Sequence, residues 1–215
     1  TIVAIGAPRN DGRRGHVRVY KNNNNEWIQL GEDIDGAAAG DWFGAFVSLN
    51  ASGTTLAAAS GKNTGRVIIY EYISNEWQQK GSSINVLELC SFVSLSNDGN
   101  TLAISSIYWD SPSKNSGRVI IYEYISNEWQ QKGKSINGEG PGQDKSGFSI
   151  SLNGEGNIIA IGAYANGNGA HGHVRLFEYI SNEWQKIGND IDGYPNSWSG
   201  WSVSLNDLGT IVAIS

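Results

Sequence analysis

Residues Gly65 to Gly81 and Gly117 to Gly133 spell one identical string, GRVIIYEYISNEWQQKG, and looser copies stand at Gly15 to Gly31 and Gly172 to Gly188. One pattern recurring four times at a period near fifty residues restricts the chain to a propeller, a solenoid or an array. Between the copies lie short apolar runs rich in β-branched residues and punctuated by glycine; the whole chain holds 28 glycines against only 17% charged residues. Tight strand connections demand such punctuation, and no helical period with a cap occurs, so the expected fold is all-β with almost no helix.

The runs order themselves. Thr1 to Gly6 reads as a buried strand, B; Gly15 to Tyr20 as strand C; Glu26 to Leu30, after an Asn-rich tip, as strand D; and Ala45 to Leu49 opens the next unit as strand A. Strand A recurs as Val47-Ser-Leu49, Val93-Ser-Leu95, Ile150-Ser-Leu152 and Val203-Ser-Leu205, and each A-to-B link holds a turn glycine, Gly53, Gly99, Gly156 or Gly209. Such strands form antiparallel meanders. One meander cannot bury both of its faces alone, but meanders packed face to face around an axis can, which makes each unit a β-propeller blade. A β-sandwich is discounted because it lacks near-identical internal copies; a linear β-solenoid is another alternative, though its rungs are usually shorter than fifty residues. The units read as 1–43 (B, C, D), 44–89, 90–146, 147–199 and 200–215 (A, B). Their seventeen strands suit neither four nor five closed blades, so the expectation is a segment of a longer propeller or array, able to self-assemble through unpaired blade edges.

Residues Ala4-Ile-Gly-Ala-Pro8, Asn10-Asp-Gly12, Gly15-His-Val-Arg-Val-Tyr20 and Phe43-Gly44 resemble the FG-GAP repeat of integrin-α-type propellers, and the phrase from Val93 to Ile104 also resembles the turn of WD-repeat blades. The resemblance implies the propeller fold. FG-GAP blades commonly hold calcium in an Asp-rich A-to-B loop, and here those turns carry at most one carboxylate each, so the resemblance does not extend to a metal.

The net charge of −6 and pI near 5.0 disfavour nucleic acid and anionic membranes, which need clustered Lys and Arg. Arg9, Arg13 and Arg14 read as a solvated loop. The one cysteine, Cys90, reads as a small buried hydrophobe, and no apolar run is long enough for membrane insertion. Gly167 to Gly172 fits G-x-G-x-x-G but precedes a strand, so it lacks the helix that binds pyrophosphate in dinucleotide folds. His171 and His173 could face one metal, yet they have no acidic or Cys partner in the motif. Asp33-Ile-Asp35 and Asp190-Ile-Asp192 occupy one position in two units, where the others read Ser83-Ile-Asn85 and Ser135-Ile-Asn137. A weak cation site or turn cap fits better than a catalytic pair. No catalytic residues, metal or cofactor are assigned.

Trp27, Trp77, Trp129 and Trp184 recur in strand D and read as packing between blades. Trp42, Tyr108, Trp109, Tyr164, Tyr194, Trp198 and Trp201 instead lie in the B-to-C and D-to-A links, which vary between copies while the A-to-B and C-to-D turns stay uniform. Variable loops on a rigid scaffold carry specificity, so these seven are the expected binding residues for a protein or glycan partner. Asn50-Ala51-Ser52 is the one glycosylation sequon, placed in an accessible turn. The expectation is a non-enzymatic extracellular or cell-surface propeller for adhesion or assembly, with sugar binding as the alternative.

Overall fold

A computed structural model describes residues 1–61, 65–86, 91–111, 114–139, 143–166 and 171–215. It is all-β. The expectation on Cys90, and on most of the motif from Gly167 to Gly172, lies outside the described residues.

Five antiparallel sheets follow one another along the chain. The first contains β1 (Ile2–Ala7), β2 (His16–Asn23), β3 (Glu26–Gln29) and β4 (Ile34–Asp35). The second contains β5 (Phe43–Leu49), β6 (Thr55–Ser60), β7 (Gly65–Ile73), β8 (Glu76–Gln79) and β9 (Ile84–Val86). The third contains β10 (Phe92–Leu95), β11 (Thr101–Ser106), β12 (Arg118–Ile125), β13 (Glu128–Gln131) and β14 (Ile136–Asn137). β15 (Ser149–Leu152), β16 (Ile158–Ala163), β17 (His173–Ile180) and β18 (Glu183–Asp192) make the fourth, and β19 (Val203–Leu205) pairs with β20 (Val212–Ile214) in the fifth. The helical turn at Asn10–Arg13 has left-handed φ at Asp11 and Gly12, so it is a loop turn and no true helix.

The second to fourth sheets run A, B, C, D, the first lacks A and the fifth holds only A and B, and strand D is longer than its sequence suggests. After a glycine with positive φ (Gly31, Gly81, Gly133), the chain returns to pair with the start of strand C as β4, β9 or β14. This plants Ile34, Ile84 and Ile136 in the core. In the fourth sheet β18 runs through without a break, and the register slips between Val174 and Leu176.

Each neighbouring pair of sheets shares its own core. Strand B of the second to fourth sheets is buried on both faces, whereas β1, expected to be buried, has no sheet before it and exposes Val3 and Ile5: Leu56 and Ala58 pack with Val17 and Val19 of the first sheet, while Ala57 and Ala59 pack with Leu102 and Ile104 of the third. Ala103 then packs with Ile159 and Ile161 of the fourth. This is why strand B reads as an unbroken apolar run instead of an alternating one. Cores in series between successive sheets exclude a two-sheet sandwich.

Hydrogen bonds tie the same interfaces. The backbone N–H of Leu95, Leu152 and Leu205 donates to Ser48, Ser94 and Ser151 Oγ of the preceding strand A at 3.0, 3.1 and 3.0 Å. In strand D the indole Nε1 of Trp77, Trp129 and Trp184 donates to the carbonyl of Leu30, Lys80 and Lys132 of the sheet before, each at 2.8 Å. Packing between sheets was the role expected of these tryptophans and of Trp27, but Trp27, on the first sheet, is 51% exposed.

Candidate functional site

The rim of uniform turns is committed to the fold. Ala51 N–H donates to Asn97 O, Asn97 N–H to Gly154 O, and Gly154 N–H to Asp207 O, joining successive A-to-B turns. Within each turn a side-chain oxygen accepts from the backbone ahead: Asn50 Oδ1 from Thr54 and Thr55, Ser96 Oγ from Thr101, Asn153 Oδ1 from Asn157 and Ile158. Asn50 is therefore a turn cap and is buried, contrary to the accessible position expected of a glycosylated asparagine.

The variable rim is different. Its D-to-A links hold Trp42, Lys145 and Trp198 at φ of 57, 52 and 54°, each two residues before a glycine that also has positive φ (Gly44, Gly147, Gly200). A left-handed backbone costs a bulky residue about 1–2 kcal/mol relative to glycine, so the fold gains nothing by placing tryptophan there.

The seven sequence candidates separate into groups. Tyr164, Trp198 and Trp201 come together: Tyr164 lies 4.9 Å from Trp201 and 6.1 Å from Trp198, and the two indoles stack at 5.8 Å. Trp201 turns partly inward onto Phe148 at 4.6 Å while remaining about half exposed. Trp42 instead stands under the guanidinium groups of Arg9 and Arg13 at 5.4 and 5.6 Å, so this arginine loop is not merely solvated. Tyr108 and Trp109 line a shallow depression of about 220 Å³, with Arg118 stacked 3.6 Å from the Trp109 ring, and Tyr194 is 85% exposed. Sequence reasoning missed Phe46, Phe92 and Phe148 as a connected series. Their rings, 4.9 and 5.5 Å apart, lead across three sheets to the Trp201 group. The signal was an aromatic beside the Val/Ile-Ser-Leu phrase in each unit.

The charged groups that converge on this rim were not grouped from sequence. His173 and Arg175 alternate along β17 and both face the third sheet. Lys186 and Asp190 stand on neighbouring β18, and Glu139 arrives from the link after β14. Ligating atoms of Glu139, His173 and Asp190 lie within 4.8 Å of one another. Arg175 Nη1 lies 3.1 Å from Glu139 Oε1, and Arg175 Nη2 donates to Asn137 O at 2.9 Å and to Ser146 Oγ at 3.0 Å. Lys186 Nζ pairs closely with Asp190 and lies 3.9 Å from Glu139, while His173 Nδ1 is 3.8 Å from Asp190. His173 and Arg175 are buried, whereas Glu139, Lys186 and Asp190 retain solvent exposure above them. Burial, then the Arg175 charge, push the His173 pKa below its ordinary value against the opposing pull of Asp190, Glu139 and Asp144.

A cation here would have to displace Arg175 from Glu139 and Lys186 from Asp190, so the donor set does not suit a metal. His171 does not join His173 in this cluster. The first sheet carries the related set His16, Arg18 and Asp33, but Arg18 pairs directly with Asp33 at 2.6 and 2.8 Å, and His16 Nδ1 meets Asn10 Nδ2 at 2.8 Å. The two Asp-Ile-Asp segments thus anchor ion pairs to their own sheets. Two of the copies show what the fold itself requires at the Arg175 position: there it holds Ile68 and Ile120, both buried in the cores between sheets.

No helix among the described residues is long and apolar enough to cross a membrane. No family model matches the chain, and no curated protein matches it in sequence. Solved structures do match its fold. A functionally unknown protein of Desulfotomaculum acetoxidans superposes with a TM-score of 0.65 at 12% identity, over 93% of this chain and 56% of its own. The periplasmic gluconolactonase of Pseudomonas aeruginosa superposes with a TM-score of 0.68 at 14% identity, over 99% of this chain and 61% of its own. The chain thus spans about six-tenths of the length of these structures. The expectation of a non-enzymatic adhesion or assembly module, with sugar binding as its alternative, is corrected by this match. An enzyme is built on the same propeller-like architecture, so the lack of a legible catalytic motif does not argue for a passive role. What the chain is similar to is an all-β, propeller-like fold that carries a lactonase in one of its neighbours.

Proposed function

We propose that the chain forms part of a hydrolytic propeller that opens lactones or related esters at the cluster of Glu139, His173, Arg175, Lys186 and Asp190. The observation that carries this reading is Arg175. Burying a guanidinium costs several kcal/mol of desolvation, and two sister copies meet the same packing requirement with isoleucine. A buried charge that the fold does not need, set among two carboxylates, a lysine and a histidine, is what a reaction with developing charge requires.

In this reading the Glu139 carboxylate, the most exposed of the acids, takes a proton from a water that attacks the carbonyl carbon. Negative charge develops on the carbonyl oxygen beside Lys186 and Arg175. The ring C–O bond then breaks, and the departing oxygen recovers the proton from Glu139. One water is consumed and a hydroxy acid is released. His173 stays neutral because it is buried beside Arg175, so it adds no third cation to weaken the carboxylates, and Asp190 holds Lys186 in place. The lactone class comes from the gluconolactonase neighbour, and an exported or periplasmic location goes with it.

The test is a panel of γ- and δ-lactones followed by pH-stat titration of the released acid. Glu139→Gln is expected to lower kcat by at least about 100-fold, the scale of a general base. No turnover of any lactone or activated ester, or full activity in Glu139→Gln, would overturn the reading.

A further inference from the structure

A groove of about 330 Å³ opens between the third and fourth sheets, at the lower end of the ~300–1,000 Å³ usual for small-molecule sites. It is lined on one side by Lys134, Ser135 and Asn137 and on the other by Arg175, Phe177 and Trp184. Arg175 and Phe177 are two apart on β17 and share its face, so the groove joins an aromatic end directly to the charged cluster. The guanidinium also accounts for the wall opposite, because Arg175 Nη2 donates to Asn137 O.

The corresponding space between the first and second sheets has the same aromatic floor, Tyr70 and Trp77, but is lined by Glu32, Asp33, Asp35 and Glu76. The fold repeats the trough at these two interfaces, and its charge differs between them. In the fourth-sheet groove Lys134 and Arg175 outnumber Glu183. The aromatic floor thus recurs at both interfaces, and positive charge is added where the Glu139 cluster stands.

We infer that this groove holds the substituent of an amphipathic substrate: a lactone or ester bearing an aryl or short alkyl arm, with the arm on Phe177 and Trp184 and the carbonyl at the Arg175 end. The inference rests on the hydrolytic reading and narrows it, because an aryl or alkyl arm buries apolar surface against Phe177 and Trp184. The arm gains the floor by leaving water, and the carboxylate released on hydrolysis forms beside Arg175 and Lys186.

The unmodified protein is assayed with γ-butyrolactone and γ-phenyl-γ-butyrolactone, and binding of 4-phenylbutyrate is measured separately by calorimetry. The phenyl lactone is expected to exceed the unsubstituted one in kcat/KM by about ten-fold or more. Ser135→Trp, which fills the groove, is expected to abolish that preference. Ser83→Trp, the same place in the second copy, is expected to preserve it. Equal kcat/KM for the two lactones, or a preference that survives Ser135→Trp with the fold intact by thermal melt, would overturn the inference while leaving lactone hydrolysis standing. Binding of 4-phenylbutyrate that Ser135→Trp abolishes, with no lactone turned over, would uphold the groove and remove the hydrolytic reading. Neither binding nor turnover would remove both. Should Ser135→Trp fail to fold, Lys134→Glu on the exposed groove edge replaces it, with weaker 4-phenylbutyrate binding expected and unchanged binding counting against the site.

Discussion

Trp129 Nε1 donates a 2.8 Å hydrogen bond to the backbone carbonyl of Lys80, 49 residues earlier and one sheet back, and the two flanking sheet pairs repeat the bond with Trp77 and Trp184. The Trp129 ring also lies 5.2 Å from Tyr124, over which Lys80 Nζ stands at 4.8 Å. One side chain therefore joins two sheets by packing and by a polar bond at once. Trp129→Phe removes the bond and keeps most of the packing, and is expected to cost about 1 kcal/mol. It leaves Lys80 O without that donor. Trp129→Ala is expected to cost about 3–5 kcal/mol. Urea unfolding of the two variants separates the terms.

Arg175→Ile copies the residue found in the second and third units. Replacing a buried ion by a well-packed apolar side chain is often neutral or stabilising by about 1–4 kcal/mol, and the freed Glu139 is exposed enough to be solvated. Stability is expected to hold or rise while lactone turnover falls at least about 100-fold. A loss of stability would assign Arg175 a structural role. Thermal melts and initial rates on one preparation decide it.

His173 makes stability depend on pH. Its folded pKa lies below the ordinary value of about 6.5, so between those two pH values the unfolded chain binds more protons than the folded one. The stability contribution is fully present above about pH 6.5 and is lost as the pH falls through the folded pKa. The charges of Asp190, Glu139 and Asp144 oppose the shift and limit the loss, and that of Arg175 enlarges it. His173→Gln is expected to flatten this slope in urea midpoints measured from pH 7.5 downward.

The Arg18 guanidinium, with help from the Gln29 amide, holds the Asp33 carboxyl down to about 2. Carbon-13 NMR titration is expected to place Asp33 there, and Arg18→Gln is expected to return it toward the ordinary carboxylate range. Both side chains are more than a third or close to a third exposed, so the same variant is expected to leave the thermal melt nearly unchanged.

Asn50→Ala is expected to cost about 1–3 kcal/mol, because the N–H of buried Thr55 loses its side-chain acceptor. Asn50→Ser should recover much of that, since Ser96 performs the same task for Thr101 in the next unit. Chemical denaturation of both variants checks it.

The strands, their antiparallel order and the role of the strand-D tryptophans were legible in the chain because they rest on local properties: β-branched runs, turn glycines, and a pattern repeated often enough to separate scaffold from variation. The return of strand D as β4, β9 and β14 was hidden, because two-residue segments such as Ile34–Asp35 have no periodicity to read and take their form from pairing with a distant strand. The candidate site was hidden for a related reason. Asp190 and His173 were each visible alone, but Glu139 belongs to another unit, and only the packing of β17 against the third sheet sets it beside Arg175. The repeat contained one usable signal, arginine at Arg175 where Ile68 and Ile120 stand in sister copies. A substitution in a linear pattern carries no information on burial, however, and burial is what turns an ordinary surface arginine into a costly one. Sequence determined the scaffold, since strand formation and sheet order follow from residues near one another in the chain. Tertiary structure decided which charges meet, since their encounter depends on faces that only packed sheets possess.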